Sequence, residues 1–383
     1  MLRRHFLKVL PSLVATGSGS VFMAQSLAQN TRDVDAYQFA NTTALSGPLG
    51  SFGQAHKFGV DAAFLQINAR GGVHGRKLQF NAMDDAYTAT RSVDNVKKIL
   101  MDSDVLGLIG CLGTPNNAVI TPLIEAGSLS HLGPLTGASS LRRSEYRQLF
   151  HIRASYTSEM RRLVQNLVSM GIKDLAMVYS DNSYGKEVLA DAVLALEEVG
   201  IKTVAQVALS IDGKNTPAAV ASLLASKPSA VLLGTAGAAS SAVVAAMRRA
   251  SPGLPIASIS PSLTPEGIKQ IGLEAKGIAI TTVSPNAELP RSQLVREYQA
   301  ALKAAGSENF SGSSLDGYIS GRLMAEALQR SGRAASREKI RIALSTIRNY
   351  DLGGFAIDFS SKTHEGSKYI ELGVLSADGK LRT

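Results

Sequence analysis

The chain has one cysteine, Cys111, no tryptophan and no run of five like charges, and each scarcity excludes something. A lone thiol permits no intramolecular disulfide, so stability must come from a buried core. Cys111 closes an apolar stretch, where a buried, inert thiol is the plain reading. Aromatic residues make up only 5% of the chain and do not alternate with arginines in a way that would stack bases. The net charge of +9 therefore does not describe a nucleic-acid surface. Beyond the N-terminus no apolar run approaches the ~18 residues that mark a membrane-spanning helix, so the mature chain is expected not to be membrane-embedded. Catalytic signatures are missing as well. There is no G-x-S-x-G, H-E-x-x-H, C-x-x-C or G-x-x-x-x-G-K-[ST] sequence. Gly107-x-x-Gly110-x-x-Gly113 is not the dinucleotide pattern, and no two of the six histidines share metal-ligand spacing on a helix. The expectation is a non-enzyme with no cofactor, no metal and no catalytic residues.

What is present begins with Leu2–Arg3–Arg4–His5–Phe6–Leu7–Lys8, a mild apolar run containing Gly and Ser, and then Ser26–Leu27–Ala28. A charged start, an apolar middle and a small-x-small end form an export signal cleaved near Ala28. Arg–Arg–x–Phe–Leu–Lys is twin-arginine-like, with Leu2 where that motif has Ser or Thr, so the general secretory route stays open. Removal of residues 1–28 takes Arg3, Arg4 and Lys8 and lowers the net charge from +9 to +6. The 355 residues left are more than one core usually accommodates.

Apolar β-rich runs alternate with amphipathic helical patterns through most of the chain. Strands are expected at Tyr37–Asn41, Leu78–Met83, Val105–Ile109, Ser130–Gly133, Leu175–Tyr179, Thr203–Ala208, Ala230–Leu233, Ile256–Ile259 and Ile278–Val283. Helices of ten to fifteen residues between them indicate βαβ units and parallel sheets. Composition shifts at 151–156 and 281–290, the second carrying two prolines, mark boundaries. The reading is two doubly wound α/β lobes, one from 29–153 and 284–350, the other from 154–283 and 351–383. Lobes joined by several crossing strands hinge, and the cleft between them is the default ligand site.

The most informative motif is Gly107–Leu–Ile–Gly–Cys–Leu–Gly–Thr–Pro–Asn–Asn–Ala118, a short strand running through glycines into a helix. Thr114 reads as the helix cap and Pro115 as its first residue. Free N–H groups and the positive dipole end would then form a seat for a carboxylate. Thr114 can cap the helix, bind a ligand, or do both. Asp84–Asp85 after the second strand read as helix-capping carboxylates in preference to a cation site.

Motifs in order along nearly the whole mature chain resemble the leucine/isoleucine/valine-type solute-binding proteins of ABC importers, the type I periplasmic binding proteins. They are Leu45–Ser–Gly–Pro48 with Phe52–Gly53, Ile67–Asn–Ala–Arg–Gly–Gly–Val73, Met83–Asp–Asp85, Leu108–Ile–Gly110, Gly133–Pro–Leu–Thr–Gly137, Asp181–Asn–Ser–Tyr–Gly185 and Leu315–Asp–Gly–Tyr318. The resemblance implies a two-lobed Venus-flytrap that captures a small carboxylated solute in the periplasm as a monomer and hands it to an inner-membrane ABC permease. Signalling to a membrane kinase or chemoreceptor is the alternative. It also implies a ligand site. Thr114, Leu135, Thr136 and Gly137 would hold the carboxylate, Phe52 would pack on the apolar part, and Tyr184 would close from the second lobe. Two positions depart from the amino-acid pattern: Ala236 stands where an aromatic is usual, and Ser260–Pro–Ser262 where an acidic partner of the α-ammonium is usual. Asp316 could supply that charge if it faces the cleft, with Glu159 and Asp181 as further candidates; otherwise the ligand is an amine-free organic or aromatic acid.

Overall fold

A computed structural model describes residues 36–383, the side chains of residues 265 and 266 excepted; the expected export signal lies outside the described residues. The first lobe opens with β1 (Tyr37–Thr43), α1 (Gly50–Ala69), β2 (Leu78–Asp84), α2 (Ala89–Met101), β3 (Val105–Ile109), α3 (Thr114–Ala126), β4 (His131–Leu132) and β5 (Leu149–Phe150). The second lobe runs through α4 (Tyr156–Ser169), β6 (Leu175–Ser180), α5 (Ser183–Glu197), β7 (Ala205–Leu209), α6 (Thr216–Ala225), β8 (Ala230–Gly234), α7 (Ala238–Ala250), β9 (Ile256–Ser258), α8 (Pro265–Ile271) and β10 (Ala279–Thr282). Three helices then return: α9 (Gln293–Ala304), α10 (Gly312–Ser331) and α11 (Arg337–Ser345). The hairpin β11 (Tyr350–Asp351) and β12 (Ala356–Ile357) and the pair β13 (Glu371–Leu375) and β14 (Leu381–Arg382) complete the chain.

The first sheet has the order β2-β1-β3-β4-β5, all parallel. The second is β14-β13-β10-β9-β8-β6-β7, parallel except for its last two strands. That antiparallel edge and the separate antiparallel pair β11–β12 depart from the all-parallel sheets expected. Every residue of β3 and β8 is buried, as strands covered on both faces require. α2 covers its sheet with Ser92, Asn95, Val96 and Ile99, the i, i+3, i+4, i+7 stripe of a one-sided helix. The strand order reverses between β1 and β3 in one sheet and between β6 and β8 in the other. Open α/β sheets bind ligands above such points, so the loops after these four strands are the places to look.

α10 is buried on most of its surface and lies against α1. Their backbones approach closely because Gly59 and Gly317 face each other's helices. A Cβ on Gly59 would run into the Ser314 carbonyl, and one on Gly317 into the His56 carbonyl. Residues 351–383 do not belong to the second lobe throughout, as the sequence reading had it. Leu352, Phe355, Ile357 and Phe359 join the first lobe's core, with the Phe359 ring 5.3 Å from that of Phe150. Only from β13 onward does the chain pair with the second sheet. The apolar face of the hairpin is buried in the first core, so the third crossing falls between Phe359 and Glu371.

Candidate functional site

The loop after β1 is fixed by Asp84. Burial works against its charge, yet hydrogen bonds from the Ser46 hydroxyl and from the N–H groups of Ala86, Leu45 and Ser46 bring its carboxyl down to about 2. Asp85 is fully buried and accepts from Thr42, Ser92 and the Tyr87 N–H. Neither carboxylate caps α2, whose cap residue is Thr88; both hold loops at the cleft in place. Phe52 sits on the first turn of α1 just beyond.

At the end of β3, Asn117 clasps its own loop, its amide donating to the carbonyls of Cys111 (2.9 Å) and Gly113 (2.8 Å). Gly113, at φ 96°, is the cap residue and Thr114 the first helical residue, so the helix begins one residue earlier than the sequence suggests. A Cβ on Gly113 would strike the Tyr87 ring, so the close approach and the positive φ both call for glycine. Thr114 is thereby freed from capping. Its hydroxyl lies 2.8 Å from that of Thr136, which also accepts the Ala138 N–H at 3.1 Å. Two hydroxyls sharing one hydrogen bond keep a second proton uncommitted, a donor aimed from a helix N-terminus. Cys111, in this same loop, is wholly buried and burial pushes its thiol up to about 12.

The structure brings most of the expected residues together. Leu135 packs with Ala44, Leu49 and Leu112, and Phe52 and Tyr87 lie against that group. The Gly137 carbonyl accepts the Tyr156 N–H, and the Tyr156 ring meets that of Tyr184 edge-on at 5.6 Å. Tyr184 is held at the start of α5, where the Asn182 side chain accepts the Gly185 N–H. Burial raises its phenol well above the ordinary value. Its hydroxyl reaches the Thr235 carbonyl and the Ser262 hydroxyl, each at 3.4 Å, while Ser262 donates to the Leu233 carbonyl. Ala236 is partly buried on the second lobe's core. The next residue, Gly237, faces Leu49 of the first lobe, and Ser140, whose neighbours Ala138 and Leu141 pack in the second lobe's core, donates twice to Glu187. The lobes are thus in contact above the switch points.

Phe52, Ser260 and Asp316 line a cavity of about 520 Å³ between the lobes, together with Arg153. Thr114, Thr136 and Tyr184 do not line it; Phe52 belongs to both groups and links them. Arg153 is not among the residues expected from sequence, and Glu159 stands there only as a further candidate. Arg153 lies in the first crossing segment, over the Tyr156 ring, and donates to the Ser260 hydroxyl and to Glu159. Glu159, 0% exposed, accepts the Ser260 N–H at 2.8 Å and the Thr281 hydroxyl at 2.7 Å. The available signal was an arginine inside the otherwise uncharged His151–Ile–Arg–Ala–Ser–Tyr156. Asp181, the remaining acidic candidate, pairs with Lys186 at an exposed turn. Among the described residues no group of three or more His, Cys, Asp or Glu is placed to hold a metal ion.

The sequence model of the periplasmic binding protein family matches residues 37–380, and the chain belongs to that family. It is similar to the Leu/Ile/Val-binding protein of Escherichia coli K12, 28% identical over 152 residues, which is 39% of this chain and 41% of that one. The alignment thus spans about two-fifths of that curated relative's length. Among solved structures it resembles a substrate-binding periplasmic protein from Ralstonia solanacearum, at 28% identity and TM-score 0.84, covering 90% of this chain and 99% of that chain. An extracellular ligand-binding receptor from Verminephrobacter eiseniae matches at 26% identity and TM-score 0.86, covering 91% of this chain and 100% of that chain.

Proposed function

We propose that the mature chain captures a small carboxylated solute in the periplasm, as a monomer, and delivers it to an inner-membrane ABC permease of the branched-chain amino-acid type. The observation that carries this reading is the Thr114–Thr136 hydroxyl pair at the N-terminus of α3, above the switch point of the first sheet. An anion there meets a hydroxyl proton and a helix dipole of the right sign. Leu135 and Gly137 complete the seat, Phe52 covers the apolar part, and Tyr184, Ala236 and the Ser260–Ser262 strand end close from the second lobe. A ligand shifts the lobes toward closure by the contacts it makes only in the closed form.

The test is a thermal-shift screen of the chain from residue 29 onward against α-amino acids and their amine-free counterparts. A molecule that binds only the folded state raises Tm by mass action. Thr114→Val should weaken any hit by about tenfold or more, since one hydrogen bond to a charged group is lost. A hit that binds Thr114→Val as tightly as the wild type removes the carboxylate seat.

A further inference from the structure

We propose that Asp316, on the first lobe, is the residue that recognises a positively charged group of the ligand; the inference rests on the carboxylate reading above and specifies the other end of the molecule. The second-lobe strand end cannot do this. Ser260 gives its N–H to Glu159 and its hydroxyl accepts from Arg153, while Ser262 turns its hydroxyl into its own lobe. Neither brings a negative charge.

Behind that strand end Arg153 meets two carboxyl groups, Glu159 and Asp316; Lys269, Lys380, Glu288 and Asp378, two of each sign, line the same cavity. Arg153 and Glu159 pair at 3.4 Å, and both oxygens of Glu159 are occupied by Arg153, Ser260 and Thr281. Asp316 is the one left over. It takes a hydrogen bond from Ser284 and only the longer-range attraction of Arg153, and it faces the interlobe cavity beside Phe52. Burial pushes its carboxyl upward and Glu159 adds to that, so an ionised Asp316 lacks a full partner. An ammonium group in the cavity would supply one. A second observation points to a ligand here. Arg153 lines the same cavity, is more than nine-tenths buried, and its Nε–H has no hydrogen-bond partner, a donor left for an acceptor atom of the ligand and not for its ammonium group. Asp316 and the Thr114–Thr136 pair both stand on the first lobe, with Phe52 bordering both groups.

The test is calorimetric titration of wild type, Asp316→Asn and Asp316→Glu with leucine and with its oxo-acid counterpart, each variant first checked for a wild-type circular dichroism spectrum and Tm. Asp316→Asn should lose leucine affinity by about tenfold to a hundredfold, bind the oxo acid as well as wild type does or better, and Asp316→Glu should recover part of the leucine binding. Unchanged leucine affinity in Asp316→Asn, or a wild type that takes the oxo acid and refuses leucine, overturns the assignment and leaves the carboxylate seat standing. A wild type that binds neither acid overturns both.

Discussion

Single residues decide the chemistry of this cleft, and their charge states follow from what surrounds them. Asp191 on α5 is nearly buried. Burial, aided by Glu187, raises its carboxyl to about 6 against hydrogen bonds from Thr157 and Ser139, and Oδ2 has no partner. A carboxyl whose folded pKa lies above its unfolded value adds stability that is present below about pH 4 and is lost as pH rises through about 6. Asp191→Asn, which keeps an acceptor for Thr157 and gives the unpartnered atom a donor, should therefore raise Tm above pH 6 and leave it nearly unchanged at pH 4. Melting curves of the two proteins across that range check it; parallel curves would show that Asp191 is not the titrating group. Asp316 follows the same sign. Its affinity for an ammonium group should fall as pH is lowered through its raised pKa, and that dependence should vanish in Asp316→Asn.

At the scale of elements, the α1–α10 contact sets the position of Phe52 and Asp316 together. Gly317 follows Asp316 directly, and its missing side chain lets the two helices touch. Gly317→Ala should destabilise the protein by about 1–3 kcal/mol through overpacking and weaken ligand binding as well, measured by denaturant unfolding and titration of the same preparation. Normal stability with normal affinity would mean the helices separate without consequence. Elements of this kind were legible to different depths in the sequence. Val105–Ile109 and α2 stood out because a five-residue apolar run bounded by turn residues is too short for a helix and a 3.6-residue stripe fits only one. The Thr114 loop was legible as a motif but one residue out of place, since Gly113 at positive φ can take the cap position as readily as a threonine. Arg153 and Glu159 were not legible as a pair. They lie six residues apart across a crossing segment, and only the tertiary fold brings Ser260 and Thr281 to them. The split of residues 351–383 was hidden for the same reason, because nothing local distinguishes a hairpin that packs on one core from one that packs on the other.

For the whole molecule, the central claim is that two lobes close on a carboxylated solute. Between the lobes Gly237 lies against Leu49, a contact that water can replace when the cleft is empty. The most direct measurement is the interlobe distance distribution by pulsed electron resonance between spin labels at Met101→Cys and Leu273→Cys. These positions are 80% and 77% exposed, one on each lobe, and the native Cys111 is too buried to take a label. Without ligand the distribution should be broad, and saturating leucine or its oxo acid, whichever raises Tm, should collapse it to a single shorter distance. A ligand that binds and leaves the distribution unchanged would contradict the clamp.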